Sequence, residues 1–207
     1  MTSKKKELST VAWLIEALDG YRVGRTVNPK TVMEKIGEVE HVLEPRAKHA
    51  KKVIRKTLDY VANLPARDPS AKRWATVYLL VRLSLRITFV LFLFSLFLTT
   101  MNPELGFYLL YVATALLYIS MIVRWYSLNK VLDFYALNHH LMEGASRRLK
   151  NYVQQLIDYM KSSIVREGLK KSKYKLHLFN TDYESIVVLK KPGILREYYL
   201  CEINLKS

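Results

Sequence analysis

ITFVLFLFSLFL, residues 87–98, is a run of twelve residues without a charge, and FYLLYVATALLYISMIV, residues 107–123, is a second such run close behind it. At 1.5 Å per residue the second run covers about 26 Å, near the ~30 Å of a bilayer's hydrocarbon core. Upstream, the first run extends to Val77 with only Arg82 and Arg86 interrupting it, and it ends at Thr100. Two segments of this length in succession predict a two-helix transmembrane hairpin, with spans at about 80–100 and 107–124, rather than the buried helices of a soluble domain.

Between the runs lies MNPELG, residues 101–106, in which Asn102-Pro103 is a turn and helix-start signal and Gly106 loosens the backbone. This connector has one acid, Glu104, and no Lys or Arg. The other ends of the hairpin carry Lys72, Arg73, Arg82 and Arg86 on one side and Arg124 and Lys130 on the other. Because cations stay on the cytoplasmic side, the expected topology has the connector outside and both flanking segments in the cytoplasm of a cell, or of a host cell if the source is viral. Trp74, Trp125 and Tyr126 fall where amphipathic rings settle, at the inner interface. Lys72, Arg73, Arg82, Arg86 and Arg124 are the candidate contacts to anionic lipid, or to the mouth of a polar path. Arg82 and Arg86, four residues apart, share one helix face, and snorkelling to the inner headgroups is the simpler use for them.

Outward from the hairpin, the 207-residue chain is rich in charge. Its net +15 and pI near 9.8 sit almost wholly outside the apolar runs and call for an anionic surface, either lipid or nucleic acid. Asn28-Pro29 opens a helical stripe through Val32, Ile36, Val39, Leu43, Ala50, Ile54, Thr57 and Val61, with Pro45 expected to kink or split it. Leu64-Pro65 ends it, and Asp68-Pro69 can cap the first membrane helix. After the hairpin, Leu128, Leu132, Tyr135, His139, Met142, Ser146, Leu149, Val153, Leu156 and Met160 form a heptad seam. That seam predicts the second membrane helix continuing as one rod to about Gly168, paired antiparallel with the upstream stripe as a cytoplasmic stalk. An amphipathic helix over residues 9–18 is expected to cap the bundle. Glu16 and Asp19 interrupt this segment, so no secretory signal is expected. From Lys173 onward, turns at Asn180-Thr181-Asp182 and Lys191-Pro192-Gly193 separate three short strands, read as an antiparallel β-meander.

The expected organisation is therefore an N-terminal helix and loop over 1–27 and a helical segment over 28–68. The transmembrane hairpin follows over 69–126, the continuation of its second helix over 127–168, and the β-meander over 169–207. The fold class is a mainly α membrane protein with a coiled-coil-like stalk and a small β-module.

Chemistry is thinly represented. Glu34, Glu38 and His41 carry a Glu-x-x-His spacing, and His139, His140 and Glu143 lie on the other long helix. The second Glu-x-x-His that a di-iron bundle needs is missing, so no metal site and no cofactor are assigned. The single cysteine, Cys201, sits in an apolar strand, and there is no phosphate loop or nucleophile elbow; no enzyme is expected. The expected function is a membrane-anchored scaffold or interaction protein, homo-oligomeric or bound to a protein partner. Arg46, Lys48, Lys51, Lys52, Arg55 and Lys56 form its candidate basic interaction face. A subunit of an oligomeric channel or transport complex is the alternative, and a tether for nucleic acid a further one. Aromatic side chains are not interleaved with the basic clusters, which leaves nucleic acid unsupported.

Overall fold

A computed structural model describes residues 2–43, 47–193 and 196–205. These residues form six α-helices: α1 (Thr2–Arg22), α2 (Pro29–Glu38), α3 (Ala47–Asn63), α4 (Pro69–Met101), α5 (Pro103–Leu137) and α6 (His139–Arg166). Three strands follow, β1 (Leu176–Leu178), β2 (Ile186–Lys190) and β3 (Tyr199–Ile203). The chain divides into two compact units, one made of both flanks, Met1–Asn63 with Asn138–Ser207, and one of the middle, Leu64–Leu137.

The middle unit is the hairpin. Asp68 caps α4 by accepting from the Ala71 amide at 2.7 Å, with Pro69 in the first turn where its missing N–H costs nothing. At the other end a single residue makes the turn. The Asn102 amide donates to Leu98 O at 2.8 Å, closing α4, while its side chain accepts from the Leu105 amide at 3.3 Å, opening α5. Along the contact between the helices the residues are small. Thr88 and Ser95 are buried on α4, and Gly106, Ala113 and Ser127 on α5, with Ser120 half-buried between the last two. The α5 positions recur every seven residues over three heptads, so they hold one face toward α4 for about six helical turns. Small side chains let two helices approach closely where no hydrophobic drive holds them. Their hydroxyls are satisfied within their own helices, Ser95 donating to Leu91 O at 2.7 Å and Ser127 to Val123 O at 2.7 Å.

In the flank unit, α1 lies at the centre. Leu8, Val11, Leu14, Ile15, Leu18 and Tyr21 are each fully buried, a stripe too wide for a peripheral cap. It packs along α6, whose Leu149, Val153, Leu156, Ile157, Met160 and Ile164 face inward. The pairing is antiparallel: Lys4 bonds Tyr159 at 2.7 Å near one end, and Arg22 Nε bonds Ser146 Oγ at 3.1 Å near the other. Three expectations are thereby revised. The principal antiparallel partner of α6 is α1, because α1 offers the longer apolar stripe, and α3 makes a smaller contact. The upstream stripe is divided among α2, a short 3-10 turn (Glu40–Leu43) and α3; Pro45, expected to split it, lies outside the described residues. Finally, the single rod is broken at Asn138, which leaves helical geometry (φ −109°, ψ 30°) between α5 and α6. At its far end α6 closes as expected: Gly168 takes φ +58°, and the Leu169 amide reaches Ile164 O at 3.0 Å.

The sheet order is β1-β3-β2, all antiparallel, so β3 is central and the order is not that of a meander. β1 is thus an edge strand whose outward amides need partners. Glu16 and Asp19 of α1, three residues apart, supply them: the His177 amide donates to Glu16 Oε1 at 2.8 Å and the Phe179 amide to Asp19 Oδ2. An edge that would otherwise recruit another strand is closed by two helix carboxylates.

Candidate membrane-facing surface

α4 and α5 are 33 and 35 residues long, and each contains a stretch long and apolar enough to cross a membrane. Only 11% of each stretch is buried, which separates these helices from the core helices of a water-soluble domain. The side chains left outside are large and apolar: Ile87, Val90 and Phe97 on α4 are more than 60% exposed, and so are Tyr111, Tyr118 and Ile122 on α5.

Counting along both helices from the Asn102 turn gives the distance of each cation from it. Arg82 lies 20 residues from Asn102, and Arg124 lies 21 from Pro103. At 1.5 Å per residue both are about 30 Å from the turn, a separation equal to the hydrocarbon thickness. Arg86 is one turn nearer, about 24 Å from it, within reach of the Arg82 level for a long side chain. All three are exposed, as are Lys72 and Arg73 further down α4. The five predicted cations therefore share the same end of the hairpin, with Arg82 and Arg124 at one level. Aromatic rings meet beyond that level: Trp74 packs edge to face on Tyr126 at 5.2 Å, and Lys130 Nζ stands 5.5 Å over the Tyr126 ring.

The predicted basic face of α3 is less uniform. Lys48, Lys52 and Lys56 form an exposed stripe at four-residue steps, and Arg55 beside them lies 3.9 Å from Asp59. Lys51 is half-buried and paired with Glu40. Arg46 lies outside the described residues.

The strongest polar cluster is one that the sequence did not reveal. Asp19, fully buried, accepts from the Phe179 and Asn180 amides, from Asn180 Nδ2 at 2.8 Å and from the Tyr183 hydroxyl. Arg22 forks onto Asp182 at 2.8 and 2.7 Å, lies 5.0 Å from the Tyr183 ring, and has its side chain 7% exposed. Lys150 reaches Asp182 at 3.1 Å. This clasp ties the β1–β2 loop to α1 and α6, with Arg22 and Lys150 on Asp182 and the loop's own donors on Asp19. The only sequence cue is the i, i+3 spacing of Asp19 and Arg22, which many surface helices share.

Electrostatics in the clasp act in two directions. Burial pushes the Asp19 carboxyl above its ordinary range, against the pull of Tyr183, Asn180 and Phe179. Hydrogen bonds from Arg22, joined by Lys150, hold Asp182 down at about 2. For Asp182 the folded value lies below the unfolded one near 4, so its contribution is whole above about pH 4 and is lost as pH falls toward 2. Asp19 has the opposite sign, because its neutralisation on acidification favours the folded state. Asp182→Asn should therefore cost about 1 kcal/mol of stability or less at pH 7, given the exposure of Asp182, seen as a lower thermal midpoint. The gap to the unmodified chain should close between pH 4 and 2, and melting curves across that range at low salt measure it.

The other sequence candidates are dispersed. Glu38 pairs with Lys35 at 2.7 Å, and Glu143 pairs with Arg147. His41 bonds Glu7 and Tyr159, both at 3.2 Å. Among the described residues no three metal-ligating side chains converge. Cys201 is buried in β3, where burial pushes its thiol up to about 11, far from a thiolate at neutral pH. No protein-family model, no curated protein and no solved structure matches the chain.

Proposed function

We propose that this chain is a membrane-anchored scaffold or interaction protein. The α4–α5 hairpin crosses the bilayer with its Asn102 turn outside, and the flank unit folds in the cytoplasm, where it offers its basic helices and small sheet to partners. The observation that carries this reading is the outward-facing apolar surface of both long helices, bounded at about 30 Å from the turn by Arg82 and Arg124. The absence of any cation between these residues on the turn side, apart from Arg86, supports the orientation. Two chain segments on either side of the hairpin fold into one unit, which supports a shared compartment for them. An anionic inner leaflet is the partner for Lys72, Arg73, Arg82 and Arg124, each nearby cation contributing about 1 kcal/mol.

The test is extraction and labelling. The chain should remain in the membrane pellet after washing at alkaline pH. A cysteine introduced by Met101→Cys should react with a membrane-impermeant maleimide from outside in sealed cells, and one introduced by Lys190→Cys only after the membrane is opened. Release by the alkaline wash, or labelling of both sites from the same side, would defeat the proposal. Ion-selective currents in a planar bilayer that vanish in Arg86→Ala would replace the scaffold with an oligomeric channel. Co-purified nucleic acid released steeply by salt would replace it with a tether.

A further inference from the structure

The side of α5 turned away from α4 is not plain hydrocarbon. Tyr108, Tyr111, Ala115, Tyr118, Ile122 and Trp125 follow one another by steps of three and four, a heptad stripe, and all six are exposed. Tyr111 and Tyr118 are 75% and 66% exposed, among the most open side chains of the hairpin. Among the described residues neither hydroxyl has a hydrogen-bond partner in the chain.

Depth makes this costly. Tyr118 lies 15 residues from Pro103 and 6 from Arg124, about 22 Å from the turn and about 9 Å from the cationic boundary. Side chains of a helix lean toward its N-terminus, which for α5 is the turn, so the Tyr118 ring leans away from the nearer interface and toward the middle of the core. Its hydroxyl cannot reach headgroups by snorkelling inward. The small hydroxyls of the hairpin avoid this problem: Ser95, Thr114 and Ser127 donate to backbone carbonyls of their own helices at 2.7 Å. A phenol hydroxyl at the end of a rigid ring has no such recourse. The outward face of α4, with Phe89, Val90, Leu93, Phe94 and Phe97, presents no comparable polar group.

We propose that a second copy of this chain covers the tyrosine stripe of α5, forming a parallel two-fold dimer inside the bilayer. The proposal rests on the membrane-hairpin reading. Copies of one chain insert with the same orientation, so residues of equal depth meet. Tyrosine is both donor and acceptor, and Tyr118 can therefore satisfy the same residue of its neighbour. Ala115, between Tyr111 and Tyr118, gives the two backbones room to approach. A lipid tail satisfies none of these hydroxyls, and a different protein would need a matching donor at the same depth, which an identical copy supplies by symmetry.

The experiment uses the full chain in phospholipid vesicles. Under mild oxidation, Ala115→Cys should form a disulfide-linked dimer at least tenfold more readily than Val90→Cys on the exposed face of α4. By energy transfer between labelled chains, Tyr118→Phe, which removes only the hydroxyl, should raise the dissociation constant at least fivefold while leaving helicity unchanged. A chain that resists alkaline extraction yet is monomeric, that cross-links equally through position 90, or whose dimer is indifferent to Tyr118→Phe would overturn the dimer and leave the hairpin standing. A chain released by alkaline extraction would overturn both.

Discussion

Replacing Gly106 with alanine should open the tip of the hairpin. A Cβ at this position would stand 2.5 Å from Thr99 Cα and 2.8 Å from the Leu98 carbonyl carbon, and in conflict with the Thr99 nitrogen as well. These are backbone atoms of the opposing helix, so no rotamer change makes room. The helices must separate at their closest approach, next to the one-residue turn at Asn102. Overpacking of this kind costs about 3 kcal/mol, and a leucine at position 106 should prevent closure altogether. The check is unfolding in mixed detergent micelles, followed by helicity and by protease cleavage near residues 98–106. Ala113→Gly, which opens space on the same face without filling any, serves as the contrasting variant and should cost about 1 kcal/mol through helix propensity and lost contact. If Gly106→Ala unfolds like the unmodified chain, the close crossing at the turn is wrong.

Asp19→Ala should loosen the sheet from the helical core of the flank unit. The substitution strands the Phe179 and Asn180 amides, Asn180 Nδ2 and the Tyr183 hydroxyl together, all on the inner side of the β1–β2 loop. Removing one side of a buried charged network costs about 3–5 kcal/mol, a large part of the ~5–15 kcal/mol that holds an ordinary domain folded. Asp19→Asn should be nearly as damaging, because it turns a donor toward donors, whereas Tyr183→Phe should cost about 1 kcal/mol. Amide hydrogen exchange of Phe179 and Asn180 is the direct readout. Both should lose protection in Asp19→Ala, while protection in the middle of α6 falls less. Uniform loss everywhere would mean that the clasp is not a local fastening.

The elements whose ends carry side-chain caps were legible. Asn28-Pro29 and Asp68-Pro69 each start a helix where expected, and Gly168 ends one, since capping is satisfied within three or four residues of the chain. The small-residue seam of Gly106, Ala113, Ser120 and Ser127 was not read from the sequence; the packing of α5 on α4 shows that this face is the covered one. The break at Asn138 was not legible, because in the sequence the apolar spacing of three and four residues continues on both sides of it. Nor was the strand order. Three short strands with turn residues between them are compatible with β1-β2-β3 and with β1-β3-β2, and side-chain alternation is the same in both.

The sequence by itself determined the two long apolar helices and the turn between them, because an uncharged run continues as one helix until Asn102-Pro103 ends it and starts the next. Tertiary structure alone decided what lies beside what in the flanks. Residues 9–18 read as an amphipathic helix capping the bundle, yet α1 is the centre of its unit, and Glu16 and Asp19, read only as charges that exclude a signal segment, close the edge of β1. A buried carboxylate is tolerable only where donors converge on it. For Asp19 the donors come from residues about 160 positions away in the chain, and no local pattern announces a partner at that distance.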